Sequence, residues 1–151
     1  MPKRIMLPHL RYSMTAPAEM VKALQRIRES HLSCCHLIEQ AKSNLLTIDE
    51  IKGALMRTGS VLESDHLDVD IAKCQQCGQL FAYCFYEYTS PGGDDDCWSF
   101  WIPINDEEAG EIRTRKPLRE LIGEIVHNRP LICRRPDRSL SWNERGLPFI
   151  P

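Results

Sequence analysis

Cys74-Gln75-Gln76-Cys77-Gly78-Gln79, running into Leu80-Phe81-Ala82-Tyr83-Cys84-Phe85-Tyr86-Glu87-Tyr88, is the stretch that decides how this chain reads. Two thiols three residues apart can face one tetrahedral ion if the backbone between them turns tightly, and Gly78 suits that turn. The aromatic run after it reads as a β-strand, apolar on both faces as a central strand is. Pro91-Gly92-Gly93 marks a turn, and Cys97-Trp98-Ser99-Phe100-Trp101-Ile102 returns as the partner strand. Centring this hairpin at Ser90/Pro91 sets Cys84 opposite Cys97, Tyr83 opposite Trp98 and Phe81 opposite Phe100. Before the thiols, Leu67, Val69 and Ile71 alternate with His66, Asp68 and Asp70, the period of a half-buried strand.

Outward from the β region, the pattern changes to helical spacing. Met20, Leu24, Ile27, His31, Cys34, Ile38, Ala41 and Leu45 fall three and four apart. A single helix of that length would span about 40 Å at ~1.5 Å per residue, so a break near Ser30 to Ser33 is expected, with Ser33 capping a second helix. Thr47-Ile48-Asp49-Glu50 is a capping box, and a helix from Ile48 to Arg57 ending at Gly59 follows from it. Asp106, Glu107 and Glu108 favour a helix start. Pro117 opens a further helix with Leu118, Leu121, Ile122 and Ile125 inward, and Leu131-Ile132-Cys133 suits a strand. Residues 1–16 read as an irregular arm, and the tail Ser139 to Pro151 as extended. The expected fold is α+β: a single domain over residues 17–151, with N-terminal helices (17–60) on a small antiparallel sheet (66–104), then a C-terminal helix and tail (106–151).

With 151 residues, the chain can bury roughly 70% of its unfolded surface, so it has a core without needing a metal. No apolar run reaches the ~18–20 residues of a membrane span. Ile5 to Leu10 is too short, and too broken by Pro8 and His9, for a signal-peptide core, so a cytoplasmic location is the expectation. Seven cysteines cannot all pair within one copy, and in a reducing compartment a CxxC points to metal or redox chemistry. The net charge of −2 conceals segregation: residues 1–61 carry +4, residues 62–110 carry −10 and residues 111–151 carry +4. The basic flanks can pack around the acidic middle, or the acidic β region can present a surface to a basic protein partner.

A thiol turn leading into an aromatic strand resembles the zinc knuckle of zinc-ribbon-like proteins, over the short motif CQQCGQLF at 74–81. The resemblance implies a structural Zn²⁺ held by Cys74 and Cys77. Two more ligands are required. The reserve is His31-Leu32-Ser33-Cys34-Cys35-His36, where His31 and Cys35, at i and i+4 of a helix, share a face. The expected set is therefore Cys74, Cys77, Cys35 and His31, with Cys34, His36, His66, Cys84 and Cys97 as alternatives. Cys34, Cys84 and Cys133 sit in apolar surroundings and suit the core equally well.

A redox role needs an activated thiol, normally at a helix N-terminus. Here strands flank the motif and the neighbourhood is acidic, which opposes activation. An acid-cluster hydrolase would draw on His66, Asp68, Asp70, Glu87 and Asp94 to Asp96, a pattern equally typical of a solvated strand face and hairpin tip. P-loop, GxSxG and GxGxxG motifs are absent. Arg129, Arg134, Arg135 and Arg138 are expected to pair with the acidic middle rather than with nucleic acid. The function expected is that of a non-enzymatic binding or regulatory protein stabilised by zinc, with thiol oxidoreductase and acid-cluster metal hydrolase as alternatives.

Overall fold

The computed structural model describes residues 35–64, 66–114 and 118–147, all within one compact unit. The N-terminal arm, the helical stripe up to Cys34, the Ser33 cap and Pro117 lie outside the described residues. Six strands form one antiparallel sheet in chain order: β1 Leu55–Leu62, β2 Leu67–Cys74, β3 Leu80–Thr89, β4 Asp95–Ile104, β5 Leu131–Arg134 and β6 Leu140–Asn143. Helices α1 His36–Lys42 and α2 Ile48–Ala54 precede it, and α3 Asp106–Thr114 and α4 Leu118–Asn128 lie between β4 and β5. The α+β class follows directly.

Strand alternation gives the sheet two apolar faces, each covered by helices. Val69, Cys84, Phe100 and Cys133 stand in one cross-strand row, and Ile71, Ala82 and Ile102 in the next. Both rows pack against Ile112 of α3 and Leu121, Ile122 and Val126 of α4. On the opposite face Cys74, Phe81, Trp101 and Ile132 receive Leu37, Ile38 and Ala41 of α1 and Ile51 of α2. The metal-ligating residue types discussed below belong to this second face.

Each helix boundary has a local cause. Thr47 and Glu50 form the reciprocal capping box: the Glu50 N–H donates to Thr47 Oγ1 and the Thr47 N–H to Glu50 Oε2. Asn105 and Glu108 repeat the device at α3, through Asn105 Oδ1 and Glu108 Oε2. Helix α1 stops because Asn44 turns left-handed at φ 55°, with the N–H of Leu45 donating to the Gln40 carbonyl and that of Asn44 to the Ala41 carbonyl. That turn throws Leu45 off the helical stripe and leaves it 69% exposed. Replacing Thr47 with Ala removes the cap acceptor and is expected to destabilise the fold by about 1 kcal/mol in chemical denaturation, with an unchanged m-value.

Three sequence expectations are corrected. The helix over Ile48 to Arg57 ends at Ala54, and Leu55 begins an edge strand. Leu55, Met56 and Arg57 favour helix intrinsically, but pairing with Cys74, Lys73 and Ala72 overrides that preference. Gly59, at φ 127°, sits where the β1–β2 register slips rather than at a helix end. The tail from Ser139 is not simply extended, since Leu140–Asn143 pairs with β5. The β3–β4 hairpin turns about Gly92, so Cys84 faces Phe100, Tyr83 faces Trp101, Phe81 faces Pro103 and Cys97 faces Glu87. This is a slip of three residues from the expected register, and an odd slip reverses which side chains share a face. The observed register aligns Phe100 and Ile102 with Cys84 and Ala82 in one buried layer. The expected one would have turned Phe100 and Ile102 to the face of Phe81, away from Cys84 and Ala82.

Among the described residues, two ion pairs join the basic flanks to the acidic middle. Arg129 pairs with Glu108 and also donates to the Pro103 carbonyl at 2.9 Å. Arg57 lies 3.5 Å from Asp70. No helix among the described residues is long and apolar enough to cross a membrane.

Candidate metal centre

The end of β2 and the start of α1 meet at the second face. Cys74 is the last residue of β2 and is 1% exposed. The chain then reverses: the Gly78 N–H donates to the Cys74 carbonyl at 2.9 Å, and the Cys74 N–H to the Gln79 carbonyl at 2.8 Å. Gly78 adopts φ +79°, a left-handed conformation that a side chain would strain. The Gln75 N–H donates to the Ala54 carbonyl at 2.9 Å, which fastens the turn to the end of α2.

From the other side, Cys35 is the N-cap residue of α1 and His36 its first helical residue. Cys35 is fully buried and His36 half-buried. The apolar side chains of α1 set this approach, because Leu37, Ile38 and Ala41 dock on Phe81, Trp101 and Ile132.

The donor atoms of Cys35, His36 and Cys74 all lie within 4.8 Å of one another, close enough to hold a metal ion. Cys74 Sγ stands 4.0 Å from His36 Nδ1. Around tetrahedral zinc, with Zn–S ~2.3 Å and Zn–N ~2.1 Å, the corresponding separation is about 3.6 Å. The side chain of Cys77 is exposed, and it acts electrostatically on both the Cys35 and Cys74 thiols. This Cys/His group is the only metal-competent cluster of its kind among the described residues.

Local electrostatics distinguish the sulfurs. Burial pushes the Cys35 thiol up to about 12, opposed by the Leu37 N–H and reinforced by the thiols of Cys77 and Cys74. Burial also acts upward on Cys74, but N–H groups of Cys77 and Gln76 point at its sulfur. With the Cys77 and Cys35 thiols they hold it below the ordinary cysteine value. A sulfur surrounded by backbone N–H donors is prepared to carry negative charge, as a metal-bound thiolate does. The neighbouring Cys35 and Cys74 thiols are both buried and cannot both ionise without a cation between them.

Of the other candidates, His31 and Cys34 lie outside the described residues. His66 is exposed and stands 3.8 Å from Glu87 near the opposite end of β2. Cys84 is buried in the α3–α4 core, where burial pushes its thiol up to about 12. Cys133 shares that core, with its thiol at about 11. Cys97 is exposed on β4. The slipped register therefore separates Cys84 from Cys97 as a couple. Asp70 is held by Arg57 rather than grouped with His66.

No family model, curated protein or solved structure matches the chain.

Proposed function

We propose that Cys35, His36, Cys74 and Cys77 hold a structural Zn²⁺, and that the protein is a non-enzymatic binding protein whose recognition surface this metal keeps in place. The observation that carries the proposal is the convergence of the Cys35, His36 and Cys74 donor atoms from α1 and the end of β2, with Cys77 three residues further along the same turn as the fourth ligand. Three thiolates and one imidazole make a closed tetrahedral set, which leaves no open position for substrate. Such a site stabilises, whereas a catalytic one keeps a ligand position free. The exposed carboxylates of Asp94, Asp95 and Asp96 at the β3–β4 tip supply the acidic surface suited to a basic protein partner.

His36 takes the place that sequence spacing gave to His31. Zinc content of protein purified under reducing conditions separates the two. One zinc per chain is expected for the wild type and for His31→Ala, with loss or weakening of at least about tenfold in His36→Ala. Full retention of zinc in His36→Ala with loss in His31→Ala would return the ligand role to His31.

A further inference from the structure

A second feature of the same sheet face is independent of the thiols. Beside α2 a cavity of about 260 Å³ opens over β1 to β5. Its polar and aromatic lining consists of Lys52 from α2, Arg57 from β1, Tyr83 from β3, Ser99 and Trp101 from β4 and Arg134 from β5, completed by aliphatic side chains of α2 and β1. Cavities of this size accommodate a small organic molecule.

Three cations and no carboxylate line it. Among the described residues, only Arg57 of the three has an acidic partner. Its guanidinium lies 3.5 Å from Asp70 and 4.4 Å from the centre of the Tyr83 ring. Lys52 and Arg134 have no ion pair among the described residues, so the lining keeps two uncompensated positive charges. Arginines from β1 and β5 approach from opposite sides of the three strands between them, and low-dielectric walls strengthen the field they share.

The floor is aromatic. Tyr83 and Trp101 face each other across β3 and β4 with ring centres 5.3 Å apart, tilted by 37°. Trp101 is 6% exposed and fixed by the α1–α2 core, so its ring is held rigidly. Ser99 is 4% exposed and sets a hydroxyl among the lining side chains.

We infer that this cavity binds a small planar anion: an aromatic or heteroaromatic ring, carrying a carboxylate or phosphate, that lies against the Tyr83 and Trp101 side chains and is charge-paired by Lys52 and Arg134. The ring supplies apolar burial, and the anion takes the uncompensated charge and the Ser99 hydroxyl. The site uses none of the four sulfur and imidazole donors.

The test is two-dimensional NMR titration of the full chain, following the Trp101 indole N–H and the Ser99 amide, with four probes. Indole-3-acetate joins a ring to a carboxylate, uridine 5′-monophosphate joins a ring to a phosphate, inorganic phosphate has no ring, and indole has no charge. At least one ring-bearing anion is expected to shift both resonances saturably, and whichever binds names the anionic group. Phosphate and indole alone are expected to bind at least about tenfold more weakly. Arg134→Gln is expected to lower affinity for the ring-bearing anion at least about tenfold while leaving the thermal midpoint unchanged. The inference is overturned if neither ring-bearing anion shifts these resonances, if phosphate or indole alone binds as tightly, or if Arg134→Gln binds like the wild type.

Discussion

Chelation of the metal is expected to lower the thermal midpoint of the protein by about 10 °C, and Cys74→Ser to abolish that response. The size of the effect follows from what the site joins. Cys35 and Cys74 lie roughly 40 residues apart, and closing a loop of that length stabilises a fold by about 4 kcal/mol through the unfolded state. For a chain of this size each kcal/mol moves the midpoint by about 2–4 °C. Helix α1 has only seven residues, too few to persist without tertiary support, and its apolar side covers Phe81, Trp101 and Ile132. Without the metal, the buried Cys35 and Cys74 thiols remain side by side at its N-terminus with no cation between them. The sheet and the α3–α4 core should survive, so chelated protein should keep most of its β signal in circular dichroism while losing midpoint. Cys97→Ser, at an exposed position on β4, should behave like the wild type with and without chelator. A chelator-insensitive wild type would remove the metal from the account of stability.

The second large effect is placed at Gly146. This residue adopts φ +76°, and a Cβ there would stand 2.4 Å from the Val126 carbonyl oxygen and 2.8 Å from the His127 carbonyl carbon. Those contacts are with backbone, which cannot swing aside. The same carbonyl of Val126 accepts the Leu147 N–H at 2.9 Å, and His127 Nδ1 lies 2.6 Å from the Leu147 carbonyl oxygen. Leu147 is buried in the α3–α4 core, so the close approach latches the segment after β6 onto α4. Gly146→Ala should cost about 3 kcal/mol or more, from left-handed strain of roughly 1–2 kcal/mol plus the displaced latch. Gly123 is the internal contrast. It lies within α4, and a Cβ there would meet nothing within 4 Å, so Gly123→Ala should stabilise by up to about 1 kcal/mol. Urea unfolding of the two variants under one buffer decides both values.

Strand β2 was legible from its alternation and β3 from an aromatic run apolar on both faces, because each buries side chains against a helical layer. The capping box at Thr47 and the helix of Leu121, Ile122 and Ile125 were legible for the same kind of local reason. Strand β1 was not. Its residues are mostly exposed and carry good helix formers, and only pairing with β2 makes it a strand. That misreading put Arg57 on a helix and hid the cavity it lines. The hairpin register also escaped, because several turn centres fit the run Ser90 to Asp94 and only burial of Phe100 and Ile102 selects Gly92. At the metal centre, the pairing of the 74–77 turn with the segment around Cys35 could be read from residue types. Helical spacing favoured His31, which lies outside the described residues; among the described ones α1 begins at His36 with Cys35 as its cap, and adjacent residues at a helix start can converge where adjacent residues inside a helix diverge.

Zinc K-edge X-ray absorption on reductively purified protein tests the central claim most directly. The expected first shell is three sulfurs at ~2.3 Å and one imidazole nitrogen at ~2.0–2.1 Å, reduced to two sulfurs in any zinc that Cys77→Ser retains. Protein that holds no zinc after supplementation, or a shell dominated by oxygen, would contradict the metal clamp of Cys35, His36, Cys74 and Cys77.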